Sequence, residues 1–446
     1  MKIIIAGVGA VGFHLAELLV KENQDLVLID EKEAVLQHAS NHLDVLTLRG
    51  DAASLEILEQ ATVAKADLFI AVTTSEKTNL LVAILAKQMG AKKTIARINN
   101  AEYLCEMQKE RFQQLGVDVL ISPPQLAAQE IIRLLERASF TDVFEFEDGK
   151  LAVVGFTLDT ICPLINRTIE DVAAEAEDCP FRGIALLRNG KTLIPEGRTV
   201  LRKGDHLYVS THKKYLDAAR TFAGKQLKPI AKLMIVGGTP LALVTAKLLE
   251  ERYQITVVLE DKEQGKECAE LLNNGLVIHA NPGNIDALKE EGLASMDAFV
   301  ALTPNAEINI ITSLMAEEVG VYKTIALVDN VNYTHISQNI GIDTIINKKL
   351  NAANNIFRFV RKGKVEAEAS LHGVEADLIE FLVHKKNRLL KRPIKELHFP
   401  REAIIAGVIR GERSYIPTGD FQFEIEDKVI VFALPEAIKR VEEMFK

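Results

Sequence analysis

Apolar runs and amphipathic stretches alternate through the first 120 residues of the chain. Short apolar runs, typical of strands buried on both faces, occupy residues 2–6, 24–29, 44–48, 67–72, 93–98 and 117–121. The stretches between them predict helices, for example an apolar helix at 79–89 and a further helix at 103–115. Strands that alternate with helices in this way predict an α/β fold with a doubly wound parallel sheet.

The alternation ends at Pro123 and Pro124, where we expect a break in the pattern. Residues 125–138 predict an amphipathic helix that leads away from the sheet. From Asp142 onward the pattern changes to short alternating strands, at 151–157, 183–188 and 206–210. Residues 142–224 are therefore predicted to form a small α+β module.

The whole pattern then recurs in the second half of the chain. An offset of 230 residues places Gly237 on Gly7 and Asn309 on Asn79, and an offset of 222 places residues 416–419 on 194–197. A register kept over about seventy residues is the mark of an internal duplication. We therefore predict two Rossmann units, each followed by a small module, with bounds at 1–124, 142–224, 230–350 and 366–446.

A glycine-rich turn directly follows the first predicted strand. It has the pattern GxGxxG and consists of Gly7, Val8, Gly9, Ala10, Val11 and Gly12. Gly7 allows a tight turn, Gly9 lets the backbone approach a pyrophosphate, and Gly12 lets the following helix pack closely on the strand. The N-terminus of that helix offers free N–H groups and the positive end of its dipole to phosphates. The turn therefore predicts a dinucleotide site, and the alternative is a Rossmann unit whose glycines serve packing alone.

Polar residues also end the neighbouring strands. Asp30 stands where a carboxylate accepts hydrogen bonds from ribose hydroxyls and repels a 2′-phosphate, which favours NAD over NADP. Asp51, Thr73 and Arg97 fall at the carboxyl ends of three further strands, where ligands bind in open parallel sheets. Asp51 has the alternative role of a turn cap, and Arg97 that of an ordinary surface arginine.

The second copy departs from the first at several of these positions. Thr239 replaces Gly9, Ala242 replaces Gly12 and Leu327 replaces Arg97, whereas the first glycine and the acid are kept. The residues that match the first site are Gly237, Gly238, Thr239, Pro240, Leu241 and Glu260. Two interpretations stay open here, a second nucleotide site and a unit that keeps only the fold.

Composition and charge narrow the class of protein. The chain has 446 residues, of which 48% are hydrophobic, and no stretch approaches the length of a transmembrane helix. Its net charge of −9, with both signs well mixed, argues against a dedicated nucleic-acid-binding protein. The four cysteines are scattered without CxxC spacing, which indicates reduced thiols and no zinc site; they are Cys105, Cys162, Cys179 and Cys268.

On these motifs the chain resembles the TrkA family of potassium-transport regulators, whose members contain two RCK (KTN) modules. The resemblance covers essentially the whole chain and is most specific at residues 7–12, 30, 49–51, 71–79 and 96–98. It implies a regulatory subunit, not an enzyme, that binds NAD(H) and adenine nucleotides such as ATP or ADP. It further implies a tetramer-like gating ring of identical chains, in the cytoplasm at the inner face of the cell membrane, on a potassium-transporting partner resembling TrkH or TrkG.

The same resemblance assigns roles to the candidate residues. The glycine turn from Gly7 to Val11 would line the pyrophosphate, and Asp30 would bind the ribose. The adenosine half would be bordered by Asp51, Thr73 and Thr74. Arg97 would supply positive charge to a phosphate. The small modules resemble the TrkA-C subdomains of the family, which take part in assembly and in binding small ligands.

Two other functions use the same fold. An NAD-dependent oxidoreductase needs a general acid or base over the nicotinamide, and the small modules show no His–Asp or Lys–Tyr constellation at recognisable spacing. A redox-sensing transcription regulator needs a helix-turn-helix with a basic recognition helix, and no such segment flanks the first strand. The oxidoreductase remains the main alternative to a regulatory subunit.

Overall fold

The computed structural model describes residues 1–22, 24–147, 149–158, 162–175, 180–224, 228–329, 344–361, 368–370, 376–384 and 387–445. Cys179 and the predicted start of the fourth module at residue 366 lie outside these ranges. The chain divides into two compact units. One consists of Met1–Gln129, Pro240–Thr245 and Asn347–Val360, and the other of Glu130–Thr239, Ala246–Ile346 and Arg361–Lys446.

The first unit is built on a parallel sheet whose central strands are buried on both faces. Its strands are β1 (Lys2–Ala6), β2 (Asp25–Asp30), β3 (Leu46–Arg49), β4 (Leu68–Ala71), β5 (Lys93–Arg97) and β6 (Val119–Ile121). They lie in the order β3-β2-β1-β4-β5-β6. The strand order reverses between β1 and β4, and the crevice at such a switch point is where open α/β sheets bind ligands.

The helices that follow these strands are α1 (Ala10–Lys21), α2 (Glu33–His42), α3 (Leu55–Gln60), α4 (Glu76–Gln88), α5 (Glu106–Gln114) and α6 (Pro123–Glu136). Helix α4 begins one turn before the predicted start, because the Ser75 side chain accepts the N–H of Thr78 and caps it. The expected break at Pro123 and Pro124 was wrong: both residues lie in the first turn of α6, where a backbone N–H has no helical partner in any case.

The second unit begins with the small module that the alternating pattern predicted. Its strands are β7 (Asp142–Phe146), β8 (Leu151–Thr157), β9 (Phe181–Arg188), β10 (Lys191–Leu193) and β11 (His206–His212), and its helices are α7 (Ile169–Glu175) and α8 (Leu216–Phe222). The sheet has the order β10-β9-β11-β8-β7, and its neighbouring strands are antiparallel. Sequence analysis identified three of these strands and missed the two at the sheet edges.

A second parallel sheet repeats the topology of the first. Its strands are β12 (Lys232–Val236), β13 (Gln254–Leu259), β14 (Gly275–His279), β15 (Ala298–Ala301), β16 (Lys323–Leu327) and β17 (Thr344–Ile346). The associated helices are α9 (Pro240–Leu249), α10 (Lys262–Leu271), α11 (Ile285–Glu290) and α12 (Ala306–Glu318). The strand order β14-β13-β12-β15-β16-β17 matches that of the first sheet position by position, as expected for a duplicated unit.

Helix α13 (Lys348–Arg361) follows the second sheet in the chain, yet most of it belongs to the first unit. Its buried residues Ala353 and Ile356 pack in one core with Ile3 and Leu15 of the first Rossmann sheet and helix. The Nζ atom of Lys93 lies 5.4 Å from the centroid of the Phe359 ring, a cation–π contact at the edge of that core. Helix α13 is therefore a packed part of the first unit.

The last strands form a second small module with the topology of the first. They are β18 (Glu368–Ser370), β19 (Asp377–Leu382), β20 (Ala403–Arg410), β21 (Arg413–Tyr415) and β22 (Lys428–Ala433), and helix α14 (Pro435–Phe445) follows them. Their order is β18-β19-β22-β20-β21. The two small modules share one buried core, in which Leu151 and Tyr208 of the first meet Ile430 and Phe432 of the second.

The contact between the small modules is specific in its details. The Ser210 hydroxyl donates to the Ala406 carbonyl over 2.6 Å, and the Arg182 guanidinium donates to the Pro417 carbonyl. A Cβ atom on Gly407 would lie 2.5 Å from the Leu151 side chain, so this glycine makes room for the other module. These contacts hold the two modules together within one unit.

The predicted fold class is confirmed: two doubly wound parallel sheets are each followed by an antiparallel α+β module. In the described part of the chain, no helix combines the length and the hydrophobicity that a bilayer crossing requires.

Candidate functional site

The glycine turn after β1 is held tightly against the end of β4. Gly7 has φ +97°, and a Cβ atom there would lie 2.7 Å from the Thr73 nitrogen. A Cβ atom on Gly12 would lie 2.0 Å from the Gly7 carbonyl oxygen, which is closer than any real Cβ contact. Both positions therefore require glycine for the helix and strand to approach each other.

Gly9 differs from these two glycines. It is the N-cap residue of α1 with φ −67°, and no described protein atom lies within 4 Å of the place where its Cβ would stand. The helical ladder begins with the bond from Phe13 N to Gly9 O, so the amides of Ala10 and Val11 precede it. No side chain in the described ranges caps this helix. The turn thus offers open space and backbone donors to an anion.

The Asp30 carboxylate lies directly beside this turn. Its Oδ2 atom accepts the Val8 N–H over 2.8 Å, and its Oδ1 atom accepts the Lys32 N–H over 3.0 Å. The residue is partly exposed, and each carboxylate oxygen has lone-pair capacity beyond the one bond it accepts here. The carboxylate therefore fixes the turn and keeps acceptor capacity for hydroxyl groups.

A buried asparagine connects the next two strand ends. Asn79, on α4, is 1% exposed, and its Oδ1 atom accepts both the N–H (2.8 Å) and the hydroxyl (2.7 Å) of Thr73. Its Nδ2 atom donates to the carbonyls of Thr73 (3.1 Å) and Arg97 (2.9 Å). Asn79 therefore places Thr73 and the partly buried Arg97 at the same sheet edge as the glycine turn.

The remaining first-half candidates lie at the rim of this edge. The Asp51 carboxylate accepts the Ala53 N–H over 2.8 Å in a turn after β3, which is the capping role considered from sequence. Thr74 is exposed in the loop after β4. The structure therefore brings Gly7–Gly12, Asp30, Thr73 and Arg97 together, and leaves Asp51 and Thr74 at the periphery.

The second glycine turn has a similar backbone and different chemistry. Gly237 has φ +116°, and a Cβ there would lie 2.7 Å from the Leu302 carbonyl oxygen, as at Gly7. The Thr239 hydroxyl donates to that same carbonyl over 2.9 Å, where the first half has the open space of Gly9. Pro240 begins α9, ahead of Leu241, and has no N–H to offer an anion where Ala10 has one.

The acid of the second half also has a different setting. Glu260 is exposed, and its carboxylate accepts the Asn281 side-chain amide at 3.4 Å. A Cβ atom on Gly238 would lie 2.3 Å from Oε1 of Gln264. The Gln264 side chain, which lies on α10, thus fills the place that the buried Val8 side chain takes in the first half. The second turn is therefore packed against the Gln264 side chain, whereas the first is held by a hydrogen bond to Asp30.

One feature that is identical in both halves was not assigned a role from sequence. Asn309 accepts the N–H (3.0 Å) and hydroxyl (2.7 Å) of Thr303 and donates to the carbonyls of Thr303 and Leu327, both at 2.9 Å. These bonds reproduce those of Asn79. The available signal was the shared spacing of threonine and asparagine in the duplication, since a buried polar residue kept in both copies needs partners.

Family models match most of the chain. The TrkA-N domain model matches residues 3–123 and 233–348, and the TrkA-C domain model matches residues 153–224 and 378–446. Each Rossmann sheet and each small module is thus matched separately.

Full-length relatives carry the same family name. The chain is 30% identical to the Trk system potassium uptake protein TrkA homolog 1 of Methanosarcina mazei over 455 residues, which covers all of both chains. It is 30% identical over 453 residues to the Trk system potassium uptake protein TrkA of Haemophilus influenzae, covering all of this chain and 99% of the other.

Solved structures share the fold. The GsuK RCK domain superposes with a TM-score of 0.61 at 14% identity and covers all of this chain and 94% of its own. The GsuK channel bound to NAD superposes with a TM-score of 0.60 at 14% identity, covering all of this chain and 78% of its own. With two TrkA-N and two TrkA-C domains in tandem, the chain belongs to the TrkA family.

Proposed function

We propose that the chain is a nucleotide-sensing regulatory subunit that controls a potassium uptake transporter. Binding of NAD(H) or another adenine nucleotide, such as ATP or ADP, to the first Rossmann unit would be the signal. The names of the full-length relatives and the NAD-bound GsuK channel support this proposal. The four-module division at 1–124, 142–224, 230–350 and 366–446 is part of it.

The observation that carries the proposal is the setting of Asp30. Its carboxylate holds the Val8 N–H over 2.8 Å beside an uncapped helix start, so that acceptors for ribose hydroxyls and donors for phosphates converge. Gly9 leaves the approach to the backbone open. In this proposal the glycine turn binds the pyrophosphate, Asp30 binds the ribose, and Thr73 and Arg97 border the ligand.

A bound nucleotide controls a gate only through different affinities for two states of the assembly. The chain would therefore act in a homo-oligomeric ring, with a tetramer expected from the resemblance. Its partner would be a potassium-transporting membrane subunit that resembles TrkH or TrkG. In this proposal the chain stays in the cytoplasm, at the inner face of the cell membrane, and catalyses no reaction.

Isothermal titration of NAD, NADH, ATP and ADP tests the binding step. Asp30→Ala removes charge-assisted hydrogen bonds of about 1.5–3 kcal/mol each, so we expect affinity at the first site to fall by about tenfold to a hundredfold. Glu260→Ala is the matched control in the second half and should leave the nucleotide affinity of the first site unchanged. Equal affinities for the wild type and Asp30→Ala would contradict the assignment of the site.

Potassium flux through a membrane partner reconstituted with the chain tests the regulatory step. We expect flux to change when NADH or ATP is added and to stay constant with Asp30→Ala. Flux that is identical with and without every adenine nucleotide would overturn the regulatory proposal. Steady oxidation of NADH in the presence of a carbonyl substrate, followed by absorbance, would instead favour an oxidoreductase.

A further inference from the structure

One loop in each small module leads into the strand that comes last in the sequence of that module. We call residues 198–204 the basic loop and residues 420–426 the acidic loop; an offset of 222 relates them. The basic loop precedes β11 and the acidic loop precedes β22.

The two loops occupy equivalent places in their modules. Arg188 donates to both carboxylate oxygens of Asp205, at 2.7 and 2.6 Å, and Arg410 does the same to Asp427, at 2.7 and 2.8 Å. Asp205 and Asp427 are 2% and 0% exposed, so each pair fixes its loop from below.

The same arginines also hold the loop backbones. Arg188 donates to the Val200 carbonyl and Arg410 to the Gln422 carbonyl, two residues related by the same offset. The equivalence of the two loops therefore rests on matching hydrogen bonds as well as on sequence register.

The charges of these matched loops are opposite. Arg198 corresponds to Asp420 and Arg202 to Glu424, and all four side chains are exposed. The basic loop contains three positively charged residues and no negative ones, and the acidic loop contains three negatively charged residues and no positive ones. One surface of the duplicated module has thus become positive in one copy and negative in the other.

The acidic loop keeps one of its charges in a strained backbone position. Gly204 has φ +83°, and at the matching position Glu426 has φ +69°. Residues with a Cβ atom rarely adopt this left-handed conformation, and glycine adopts it freely. A glutamate at a position suited to glycine indicates that an exposed carboxylate is useful there.

The loops do not neutralise each other within the chain. Asp420 pairs with Lys395 at 2.5 Å, and Glu424 contacts Arg410, which already binds Asp427. Among the described residues, no ion pair joins the basic loop to the acidic loop. Opposite charges on the surface of one chain that do not meet each other are suited to contacts between chains.

We propose that the basic loop of one chain docks against the acidic loop of a second copy of the chain. Two copies related by a twofold axis would make this contact twice, since each contributes one loop of either sign. The contact would be weakened by salt, because all of its charged groups are exposed. This inference rests on the homo-oligomer of the proposed function and names one contact within it, a contact that requires no nucleotide and no membrane partner.

Sedimentation equilibrium of full-length protein tests the contact. One variant reverses the basic loop with Arg198→Glu, Arg202→Glu and Lys203→Glu. A second reverses the acidic loop with Asp420→Lys and Glu426→Lys and leaves Glu424 in place because it contacts Arg410. At about 50 mM salt we expect each variant to self-associate at least tenfold more weakly than wild type.

Two comparisons make the test specific. An equimolar mixture of the two variants should regain most of the wild-type association, because each supplies the charge that the other lacks; misfolded chains would not regain it. Reversal of three exposed lysines elsewhere, with Lys191→Glu, Lys289→Glu and Lys439→Glu, changes the net charge by the same amount as reversal of the basic loop and should leave association unchanged.

Three results would overturn the proposal. These are wild-type association that is equal at about 50 and about 500 mM salt, reversed variants that associate like wild type, and a mixture that associates no better than its components. Loss of binding to phosphatidylglycerol vesicles on reversal of the basic loop, with self-association unchanged, would assign that loop to a membrane surface instead. Titration of NAD into the same variants shows separately whether the nucleotide site is intact.

Discussion

The two glycine turns have similar backbone conformations and differ in the groups that they present to a ligand. At the first turn the Asp30 carboxylate holds the Val8 N–H, and the space above Gly9 is open. At the second turn the Thr239 hydroxyl caps the Leu302 carbonyl, and Pro240 replaces an N–H donor with a proline ring. The differences are concentrated in groups that would face a phosphate or a ribose.

Contacts that build the fold are kept in both halves. Asn79 and Asn309 make the same hydrogen bonds across two strand ends, and Gly7 and Gly237 both have a positive φ that brings β1 against β4 and β12 against β15. The comparison teaches that the duplicated unit kept the asparagine and the first glycine that close its sheet edge. Apart from the packing glycine Gly12, which became Ala242, the changes surround the ligand position. It separates structural roles from binding roles within one chain.

The largest effect is expected from removing the shared asparagine. Asn79→Ala and Asn309→Ala each leave buried backbone groups of two strand ends without partners, so we expect a loss of about 3–4 kcal/mol in the free energy of unfolding of the affected half. Hydrogen exchange followed by mass spectrometry measures β4 and β15 separately. Lys77→Ala, an exposed change on the same helix as Asn79, is the control. A loss in only one half would break the equivalence of the two units.

A smaller effect is expected from the glycine that differs between the halves. Gly12→Ala places a methyl group against the Gly7 carbonyl, and we expect a loss of about 2–3 kcal/mol in the first half. The reverse change Ala242→Gly should cost the second half about 1–2 kcal/mol, through lower helix propensity and the loss of a buried methyl group. Denaturant titration with hydrogen exchange distinguishes the two halves.

Gly9→Ala is the matched control for that pair. No described atom lies within 4 Å of the new methyl group, so the fold should keep its stability. NAD affinity should fall, because the methyl group stands where the backbone must approach a pyrophosphate. A stable Gly9→Ala variant with unchanged NAD affinity would contradict the proposed position of the pyrophosphate.

Much of this comparison was predictable from sequence, and the exceptions have physical causes. The fold class followed from alternating buried strands and helices, and the register of the duplication located the second turn. The start of α4 was missed because it depends on the Ser75 cap. Helix α6 begins at Pro123 and not at residue 125 as predicted, because the first turn of a helix accommodates proline. The place of α13 in the first unit depends on tertiary packing, which no local pattern encodes.

The candidate site was predictable in part for the same reason. Residues at or just beyond the carboxyl ends of parallel strands, such as Asp30 and Thr73, fall at one sheet edge by topology alone. Other features of the site are contacts between segments that are distant in sequence. They are the hydrogen bond from the Val8 N–H to Asp30, the bonds made by Asn79, and the packing of Gln264 against Gly238 in the second turn. Those contacts became visible only in three dimensions.

Nucleotide selectivity sharpens the comparison at the first turn. Asp30→Asn keeps the size of the side chain and removes the charge that would repel a 2′-phosphate, so we expect the NAD-to-NADP affinity ratio to fall by about tenfold or more. The matched change Glu260→Gln in the second half should leave the ratio unaltered. Competition titrations of NADP against NAD measure the ratio, and one that does not change in Asp30→Asn would remove the carboxylate from the ribose position.

The smallest expected effect tests a difference between the two small modules. His212 matches Leu434 at the offset of 222, and its Nδ1 atom lies 2.6 Å from the hydroxyl oxygen of Ser414. Burial lowers the pKa of His212, and the nearby charge of Lys214 lowers it further. Because the pKa is lower in the folded state than the unfolded value of 6.5, the stabilisation it reflects is complete above about pH 6.5 and is lost as the pH falls through the folded pKa.

Replacing His212 with leucine, the residue at the matching position of the second copy, isolates the pH-dependent contribution of His212 to stability. We expect wild-type protein to lose more thermal stability than His212→Leu between pH 7.5 and pH 5.5, by less than about 0.5 kcal/mol, because the ring is partly exposed to solvent. Melting curves at both pH values measure the difference, and Lys191→Ala on the same sheet is the control. If both variants and the wild type lost stability in parallel, the acid sensitivity of the small modules would reside in carboxylates that both copies share, and His212 would not distinguish them.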